Sequence, residues 1–388
     1  MKMPSRNNNI DENKDRLSDL CDYLLIHILS FLRSKIAVQT CILSTRWRNL
    51  WKQLPFLSLY SSNTLPRLSE FASQFLSLRD GSTSLFVLKF YNFCNEGFME
   101  PHILDKILQY AISHNIQHLH IFLKCDIQHF PSCLFSCDTL TSLRFNVTPI
   151  RYDKPKILFP NSLNLPSLTS LSLGFIAFRG GPDLFLAYPR LKRLEIAHFE
   201  ILGEENLCIS STTLVGLAIE FSFEPKNNRK IELFTPNLCA FTFMGTPFQI
   251  LFGNPLSSVK HIEIHADIRW SYAEAPSILL RWFLEFVDIE SLIVSSNTLQ
   301  VLSLVPNLLR VKLSSLRNLK SLKVKRDELS HRLSKILIDA NLAQLPPRSE
   351  NEAARLQEVF KVGSSSIPDE MINFLLQNST SKEFHIIN

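Results

Sequence analysis

A short apolar pattern recurs along most of this 388-residue chain and constrains its fold more than any other feature. The pattern is apolar-x-x-apolar-x-apolar, in which x is any residue. Ten copies occur, at Leu85/Leu88/Phe90, Ile116/Leu119/Ile121, Leu140/Leu143/Phe145, Leu168/Leu171/Leu173, Leu191/Leu194/Ile196, Leu214/Leu217/Ile219, Leu238/Phe241/Phe243, Val259/Ile262/Ile264, Ile289/Leu292/Val294 and Leu319/Leu322/Val324. Their spacing varies from 21 to 31 residues, and the 234 residues between Leu85 and Leu319 give a mean of 26. Such a period indicates a repeat protein in which each copy contributes one short apolar strand.

A period of 26 residues is typical of leucine-rich repeats, in which each repeat adds one parallel strand and returns through a separate segment. We therefore predict an α/β fold with an irregular leucine-rich-repeat solenoid over residues 80–326. Its parallel strands should line the concave face, with helices or loops outside. Further matches at Leu299 and Leu308 lie too close to their neighbours for full repeats, so residues 298–309 are predicted to be a return helix.

The composition fits a stacked repeat and argues against a nucleotide-dependent enzyme. Leucine makes up 63 of the 388 residues because each repeat needs apolar positions, whereas there are only 10 glycines. Phosphate-binding loops and nucleophile elbows need clustered glycines, since those turns require positive φ angles or close backbone approach. The sequence contains no G-x-S-x-G, H-E-x-x-H or Walker motif. We therefore expect no catalytic residues, no enzymatic activity and no cofactor.

Charge and hydropathy indicate neither a nucleic-acid partner nor a membrane partner. The net charge of +5 is spread along the chain and is too small for a dense basic binding face. The most apolar stretch, residues 278–287, carries Arg281 and Glu285 and is shorter than a membrane span. Residues 1–14 are polar, are predicted to be disordered, and lack the apolar core of a signal peptide. We expect a cytosolic or nuclear protein.

The 8 cysteines follow no disulfide spacing, and most lie within apolar runs. One group allows a second interpretation, because Cys125, His129, Cys133 and Cys137 are residue types that bind zinc. Three residues separate each of them from the next, unlike the C-x2-C pairs of structural zinc sites. We favour buried thiols in a reducing compartment and expect no metal site.

Residues 15–59 follow a helical period instead of the repeat pattern. Apolar residues recur at three- and four-residue spacing, which places them on one stripe of a helix: Leu17, Leu20, Leu24, Leu25, Ile28, Leu29 and Leu32. A second helix is predicted to begin at Ser34 and continue through Ile42, and a third to span residues 45–51 with Trp47 on its apolar face. Three short helices make a small core, so this unit needs a partner or the rest of its chain.

This segment resembles an F-box, particularly as found in plant F-box/leucine-rich-repeat proteins. The resemblance covers the whole motif in order, as Asp15-Arg16-Leu17-Ser18-Asp19-Leu20, then Leu24-Leu25-Ile26-His27-Ile28-Leu29-Ser30-Phe31-Leu32, then Leu43-Ser44-Thr45-Arg46-Trp47-Arg48-Asn49-Leu50-Trp51. Cys21 and Tyr23 depart from it, because the family usually has proline after the Asp-Leu pair and an acidic residue two positions later. Both departures lie at the start of the first helix, where proline and an acidic group favour helix formation.

The resemblance implies that the helical unit docks on the small adaptor subunit of an SCF-type cullin–RING ubiquitin ligase. The docking residues that it implies are Leu17, Leu20, Leu24, Leu25, Ile28, Leu29, Leu32 and Trp47. The adaptor and the cullin would then be partners, and the repeats would hold an unknown target protein for ubiquitination. The bland interpretation of the stripe is an ordinary core helix, but it offers more apolar surface than three short helices can bury among themselves.

Alternation along each strand predicts which side chains face away from the core. On the concave face we expect these residues to bind the target: His118, His120, Arg144, Arg193, Glu195, Glu220, His261, Glu263, His265, Lys323 and Lys325. His261, Glu263 and His265 could also ligate a metal, but no further ligand is apparent nearby, and we favour a polar contact surface. The lysines around Lys323 and Lys325 could bind a phosphorylated ligand, but such a run is more often a solvated face.

After residue 326 the repeat pattern fades. Residues 327–388 are predicted to contain a helical stretch, a loop with Pro346-Pro347, a short helix that starts at Ile367-Pro368 and a final strand at Phe384-His385-Ile386-Ile387. This region resembles the C-terminal FBD-like domain of the same plant proteins. It also fits a cap on the open end of the solenoid, which is the interpretation that we favour.

The leading functional hypothesis is a substrate-recognition adaptor, in which the F-box-like unit binds the ligase and the repeats bind its target. The alternative is a leucine-rich-repeat binding module whose F-box has decayed at Cys21 and Tyr23 and which has no ligase coupling. Binding to the small adaptor subunit distinguishes the two hypotheses.

Overall fold

A computed structural model of the chain describes most of the sequence. The described residues are 17, 19–61, 65–92, 98–151, 156–181, 184–221, 230–253, 256–268, 273–344, 368–379 and 383–387. Residues 1–14, which we predict to be disordered, the Pro346-Pro347 loop and Ile367 lie outside these ranges.

Twelve parallel strands form the main sheet, and they follow one another across the sheet in chain order. With the strands of both sheets numbered along the chain, the main sheet contains β1 (Phe56–Ser61), β2 (Val87–Asn92), β3 (His118–Lys124), β4 (Ser142–Thr148), β6 (Ser170–Gly174), β8 (Arg193–Ala197), β10 (Gly216–Phe221), β12 (Ala240–Gly245), β14 (His261–Ala266), β15 (Ser291–Ser295), β16 (Ser321–Lys325) and β17 (Glu383–Ile387). Each of the ten predicted repeat strands is present, from β2 to β16, and β1 and β17 extend the sheet at its two ends.

The apolar pattern places the repeat strands in register. Leu119 on β3 pairs with Leu143 on β4, which in turn pairs with Leu171 on β6. These side chains are all buried, as are those two residues later on each strand. Each repeat therefore adds one layer of apolar side chains to a continuous core, and full burial of a leucine contributes about 1.5–3 kcal/mol. The predicted α/β architecture with a parallel sheet of repeated strands is confirmed.

A second sheet of five parallel strands lies outside the main sheet, where we predict helices or loops. It contains β5 (Ile157–Leu158), β7 (Ile176–Gly181), β9 (Glu200–Ser210), β11 (Ile231–Phe234) and β13 (Ile250–Phe252). The prediction is therefore wrong for the central repeats. These repeats are the shorter ones, and a strand rises about 3.3 Å per residue whereas a helix rises about 1.5 Å, so few residues can return only in extended form.

A chain of phenylalanine rings links the two sheets. Phe178 on β7 lies 5.6 Å from Phe159 and 6.2 Å from Phe199, measured between ring centroids. Phe199 continues to Phe221 on β10 at 5.4 Å, and Phe221 to Phe248 at 4.5 Å. Most of these pairs are tilted, which is the arrangement that aromatic quadrupoles favour. The abundant phenylalanine thus fills the space between a sheet of leucine-sized layers and its outer neighbour.

Helices occupy the N-terminal unit and the longer repeats. They are α1 (Asp22–Ser30), α2 (Ser34–Gln39), α3 (Leu65–Leu78), α4 (Pro101–Ser113), α5 (Ala275–Glu285), α6 (Ser296–Ser303), α7 (His331–Gln344) and α8 (Asp369–Gln377). The predicted return helix at residues 298–309 corresponds to α6 and a 3-10 turn at Leu308–Arg310. None of the described helices is both long enough and apolar enough to cross a membrane.

The N-terminal unit departs from its prediction at the third helix. The first two predicted helices are present as α1 and α2, but residues 45–49 form turns that lead into a short 3-10 helix at Leu50–Gln53. One contact that holds this turn is Arg46, whose guanidinium binds the Asp22 carboxylate at 2.7 Å and also the Leu20 carbonyl. The arginine thereby draws the turn against the start of α1.

The N-terminal unit is continuous with the first repeat. Strand β1 spans the predicted boundary at residue 59 and pairs with β2 in the main sheet. Arg79, at the end of α3, is 6 % exposed, and its guanidinium donates to the carbonyls of Leu54 at 2.7 Å, Thr83 at 3.0 Å and Ser84 at 3.1 Å. It also donates to the Tyr110 hydroxyl at 2.9 Å. One buried cation therefore joins the end of the helical unit to the first helices of the repeats.

The C-terminal region continues the architecture. The final strand, predicted at residues 384–387, is β17, and it pairs with β16. Helix α8 begins after Pro368 and buries Met371, Phe374 and Leu375. The side-chain oxygen of Asn378 accepts a hydrogen bond from the Leu313 amide at 2.9 Å. These contacts attach the described C-terminal residues to the last repeat.

Candidate functional site

Large apolar side chains are exposed over the helical unit at the N-terminus. Eight of them lie within residues 17–43, here called the N-terminal apolar face: Leu17, Tyr23, Leu24, Ile28, Phe31, Ile36, Ile42 and Leu43. Tyr23, Phe31 and Ile42 are 78 %, 77 % and 84 % exposed. Isolated exposed apolar residues are common, but a concentration of them in one small unit marks an interaction surface.

Five of the eight predicted docking residues are accessible. Leu17, Leu24 and Ile28 belong to the N-terminal apolar face, and Leu20 and Leu32 are half-buried against the core. Their spacing of three and four residues matches one exposed side of α1 and the turns that flank it.

The other three predicted docking residues lie inside the chain. Leu25, Leu29 and Trp47 are buried in the core, where no partner reaches them in this conformation. Leu25 and Leu29 are four residues apart on α1, which packs on the 3-10 helix at Leu50–Gln53. The sequence stripe therefore contains two faces of one helix, one that attaches it to the repeats and one that is exposed.

Five members of the N-terminal apolar face were not predicted as docking residues. Tyr23 and Phe31 flank α1, Ile36 lies on α2, and Ile42 and Leu43 follow it. The signal was available in the sequence, because α1 is apolar on both sides, and a helix with no polar side needs a second partner surface.

The departures at Cys21 and Tyr23 leave the start of α1 intact. Cys21 occupies the N-cap position with φ −70° and makes no side-chain cap hydrogen bond. Asp22 supplies an acidic group in the first turn, which complements the helix dipole, and it is paired with Arg46. Helix α1 thus begins where the F-box resemblance implies, despite the unusual residues.

The side of the main sheet that faces away from the core, here called the open face, corresponds to the predicted concave face. Strand register aligns its side chains in three rows that cross the sheet. The predicted target-binding residues lie in all three: His118, Arg193 and His261 in the first row, His120, Arg144, Glu195, Glu263 and Lys323 in the middle row, and Glu220, His265 and Lys325 in the third. Ten are at least partly exposed, whereas His265 is buried.

His120 reports the electrostatic character of the first repeats. Burial and the neighbouring Arg144, Lys89 and His118 lower the pKa of His120 from its usual 6.5 to about 4. Its Nδ1 lies 3.3 Å from the Tyr91 hydroxyl. The imidazole is therefore neutral near pH 7, and its surroundings oppose any further positive charge.

Charged groups near the last strands are bound to one another. Lys260 contacts the carboxylates of Asp288 and Glu290, and Glu290 binds Lys320 at 2.5 Å. His265 lies 2.9 Å from Glu263 and 3.7 Å from Asp327. The hydrogen bonds with lysine lower the pKa values of Asp288 and Glu290. His265 and Glu263 are therefore brought together, but through a contact within the protein.

The cysteine group of the first repeats is not assembled around one point. Cys125 and Cys137 are buried, Cys133 is half-buried and His129 is exposed. Burial raises the pKa of Cys125 to about 12 and that of Cys133 to about 11, so both are protonated thiols near pH 7. Over the described ranges, no three His, Cys, Asp or Glu side chains are arranged to hold a metal ion.

A pocket of about 530 Å³ opens at the ends of β12, β14, β15 and β16. Its lining includes Asp267, Asn297, Lys325, Asp327 and Arg332. Asp267 accepts a hydrogen bond from the Ser330 hydroxyl at 2.7 Å, and the Asn297 amide donates to the Glu328 carbonyl at 3.1 Å. The carboxylates in this lining do not favour the phosphorylated ligand considered for Lys323 and Lys325, because they repel a phosphate.

Comparison with known proteins bears on the N-terminal unit first. The F-box domain family matches residues 17–59, which include the whole N-terminal apolar face. A putative F-box/FBD/LRR-repeat protein of Arabidopsis thaliana is 28% identical over 75% of this chain and 69% of its own length. The predicted resemblance to plant F-box/leucine-rich-repeat proteins is confirmed. The F-box thus comprises α1, α2 and the turns up to β1.

Two further relatives support the same resemblance. An FBD-associated F-box protein of Arabidopsis thaliana is 29% identical over 58% of this chain and 56% of its own length. An F-box protein of the same plant is 33% identical over 52% of this chain and 45% of its own length. The chain thus spans between 45% and 69% of the length of these three relatives. No solved structure matches the chain.

Proposed function

We propose that this protein is the substrate-recognition subunit of an SCF-type cullin–RING ubiquitin ligase, and that it acts as an adaptor without catalytic residues of its own. The observation that carries the proposal is the N-terminal apolar face within the matched F-box. An F-box docks on the small adaptor subunit, and this face offers the apolar anchors that such docking needs. The adaptor in turn connects the chain to the cullin.

In this proposal the two faces of α1 have separate tasks. Leu25 and Leu29 attach the F-box to the repeats, and Trp47 supports them from the core. Leu17, Leu24 and Ile28 contact the adaptor, with Leu20 and Leu32 at the margin. Tyr23, Phe31, Ile36, Ile42 and Leu43 extend the contact surface. This division keeps docking from disturbing the core.

The repeats are proposed to hold the target on the open face. A target bound there would be tethered to the ubiquitin-transfer enzymes, and the resulting effective concentration replaces chemistry by the chain itself. Residues 80–326 would form the recognition solenoid, and residues 327–388, the FBD-like region, would cap it through β17. A cytosolic or nuclear location is part of the same proposal.

Adaptor binding by purified full-length protein tests the proposal. Replacing Leu24 and Ile28 together by Asp should weaken binding to a plant small adaptor subunit at least about tenfold, because each hot-spot residue contributes more than about 1 kcal/mol. Both side chains are exposed, so the fold should persist, whereas Leu25→Asp would place a charge in the core.

The matched control replaces two exposed leucines outside the F-box, Leu186→Asp and Leu309→Asp, and should bind like the unchanged protein. Equal binding by both double variants would contradict the proposed docking surface. Absence of binding by the unchanged protein would favour the alternative of a repeat protein without ligase coupling.

A further inference from the structure

The first four strands present cations to the open face with no acidic side chain beside them. Their middle row reads Ser58, Lys89, His120 and Arg144, their first row Phe56, Val87, His118 and Ser142, and their third row Tyr60, Tyr91, Phe122 and Asn146. None of these twelve described residues is Asp or Glu. The group Lys89, His118, His120 and Arg144 is here called the cationic end of the open face.

The two permanent charges of the cationic end are not neutralised within the described structure. Lys89 and Arg144 are exposed, and neither forms an ion pair with a described residue. By contrast, Lys260 and Lys320 near the last strands both bind carboxylates. Placing like charges on adjacent strands costs free energy, so the first strands retain an unfavourable arrangement that a bound anion would relieve.

Aromatic side chains border the cationic end along the third row. The rings of Tyr60 and Tyr91 lie 5.5 Å apart, and the Arg33 guanidinium lies 4.8 Å from the Tyr60 ring. The Tyr91 hydroxyl contacts His120. The rings thus form a firm floor beside the cations, and Arg33 adds a further positive group from the F-box side of the sheet.

Acidic residues mark where the cationic end stops. Two strands beyond β4, Glu195 lies in the middle row on β8, and Glu220 follows in the third row on β10. A long polyanion that ran across the sheet would meet these carboxylates. Arg33 also covers the Tyr60 ring, which a stacked nucleobase would need to reach. A short acidic segment of a polypeptide fits this bounded surface better than a nucleic acid does.

We propose that strands β2–β4 bind a short acidic stretch of the target protein through Lys89 and Arg144, with His120 and the neighbouring tyrosines as uncharged contacts. The inference rests on the proposed function in one respect, because it names the chemistry of the target that the repeats recognise. It assigns target recognition to the end of the open face next to the F-box.

Fluorescence anisotropy with full-length protein provides the test. The probe is a fluorescein-labelled peptide of glutamate and glycine, and its neutral counterpart has glutamine in place of glutamate. At about 0.1 M salt, where the Debye length is about 10 Å, the glutamate peptide should bind and the glutamine peptide should not. Replacing Lys89 and Arg144 by Gln should weaken binding about tenfold, which corresponds to the loss of two exposed ion pairs.

The matched control replaces Lys323 and Lys325 by Gln, which changes the net charge by the same amount at the other end of the open face. It should bind the glutamate peptide like the unchanged protein. Equal weakening by both double variants would show that only net charge matters and would overturn the proposal. The proposal is also overturned by absence of binding in the unchanged protein, or by tighter binding of a phosphoserine peptide or an oligouridylate of equal net charge.

Adaptor binding, measured on the same variants, separates this inference from the proposed function. Lys89 and Arg144 lie outside the N-terminal apolar face, so Lys89→Gln with Arg144→Gln should retain adaptor binding. A protein that binds the adaptor but not the glutamate peptide would refute the inference alone. A protein that binds the glutamate peptide but not the adaptor would refute the ligase role and leave the acidic-peptide site standing.

Discussion

The two ends of the main sheet are built from the same repeated strand but treat charge in opposite ways. On β2–β4, Lys89 and Arg144 stand without carboxylates beside them. Around β14–β16, lysines are bound by Asp288 and Glu290, and His265 is bound by Glu263. The comparison teaches that a repeat fixes where a side chain points, whereas its neighbours on adjacent strands decide whether it holds the fold or remains available to a partner.

The largest expected effect comes from breaking a polar contact at the last strands. The Thr298 hydroxyl donates to the Ile264 carbonyl and accepts from the Ala266 amide, both at 2.8 Å, and it is fully buried. Thr298→Val should lower the free energy of unfolding by about 2 kcal/mol, because a buried amide loses its acceptor. Urea unfolding measures the change, and Thr298→Ser, which retains the hydroxyl, should lose less. A loss of similar size in both variants would point to packing instead.

A smaller effect is expected on the titration of His120. Replacing Arg144 by Gln removes one of the cations that lower the pKa of His120, so the pKa should rise above about 4 while burial keeps it below 6.5. NMR titration of the imidazole resonances measures this shift. Lys323→Gln, at the other end of the same row, should leave the titration unchanged. An unchanged pKa in Arg144→Gln would mean that burial alone sets it.

His120 also has a consequence for stability. Because its pKa in the folded protein lies below the ordinary value of 6.5, the unfolded chain binds the proton more readily. Its contribution to stability is therefore present above pH 6.5 and is lost as the pH falls towards about 4.

The charged cluster at the last strands should make the protein sensitive to acid. Lys260 and Asn318 bind Asp288 and lower its pKa, so its stabilising contribution is present above its ordinary pKa of 3.8 and is lost as the pH falls through the lowered value. Between about pH 5 and about pH 3, Asp288→Asn should therefore show a smaller drop in thermal midpoint than the unchanged protein. An identical drop would mean that Asp288 is not part of the acid response. Asp339→Asn, at an exposed position on α7, is the control.

The smallest effect is expected for the stability of the cationic end. Lys89→Gln and Arg144→Gln should each change the free energy of unfolding by less than about 0.5 kcal/mol, since exposed residues without partners contribute little to folding. Chemical denaturation checks this value. A gain in stability in both variants would be the clearest sign that like charges oppose each other there, and a large loss would contradict their assignment as available groups.

The repeat pattern predicted the fold well because it reflects one dominant force. Leu119, Leu143 and Leu171 are buried in register wherever the apolar triplet occurs, and burial of leucine is nearly independent of what lies elsewhere in the chain. The second sheet was missed because the return segments are short. Leu207 and Ile231 belong to brief alternating runs that a strand or a loop could contain, and pairing between distant returns decided the outcome.

The site residues were harder to predict, for a different physical reason. Helical spacing places Leu24 and Leu25 on one broad stripe, yet Leu24 is 43 % exposed and Leu25 is fully buried. The deciding neighbour is the 3-10 helix at Leu50–Gln53, which covers one side of α1 only. Likewise, the sequence shows lysines at both ends of the open face, but only the register between strands reveals which of them meet a carboxylate.

The buried Arg79 has a consequence for the geometry of ubiquitin transfer. Because this side chain fixes the end of the F-box to the first repeats, and β1 and β2 belong to one sheet, the F-box has no free hinge within the described contacts. Position along the sheet then becomes a measure of distance. At about 4.8 Å per strand, a target on β3 lies about 10 Å from β1, and one on β16 lies about 48 Å away along the sheet. Where a target binds would thus set how far its lysines stand from the enzymes, and the repeats would act as a ruler as well as a grip.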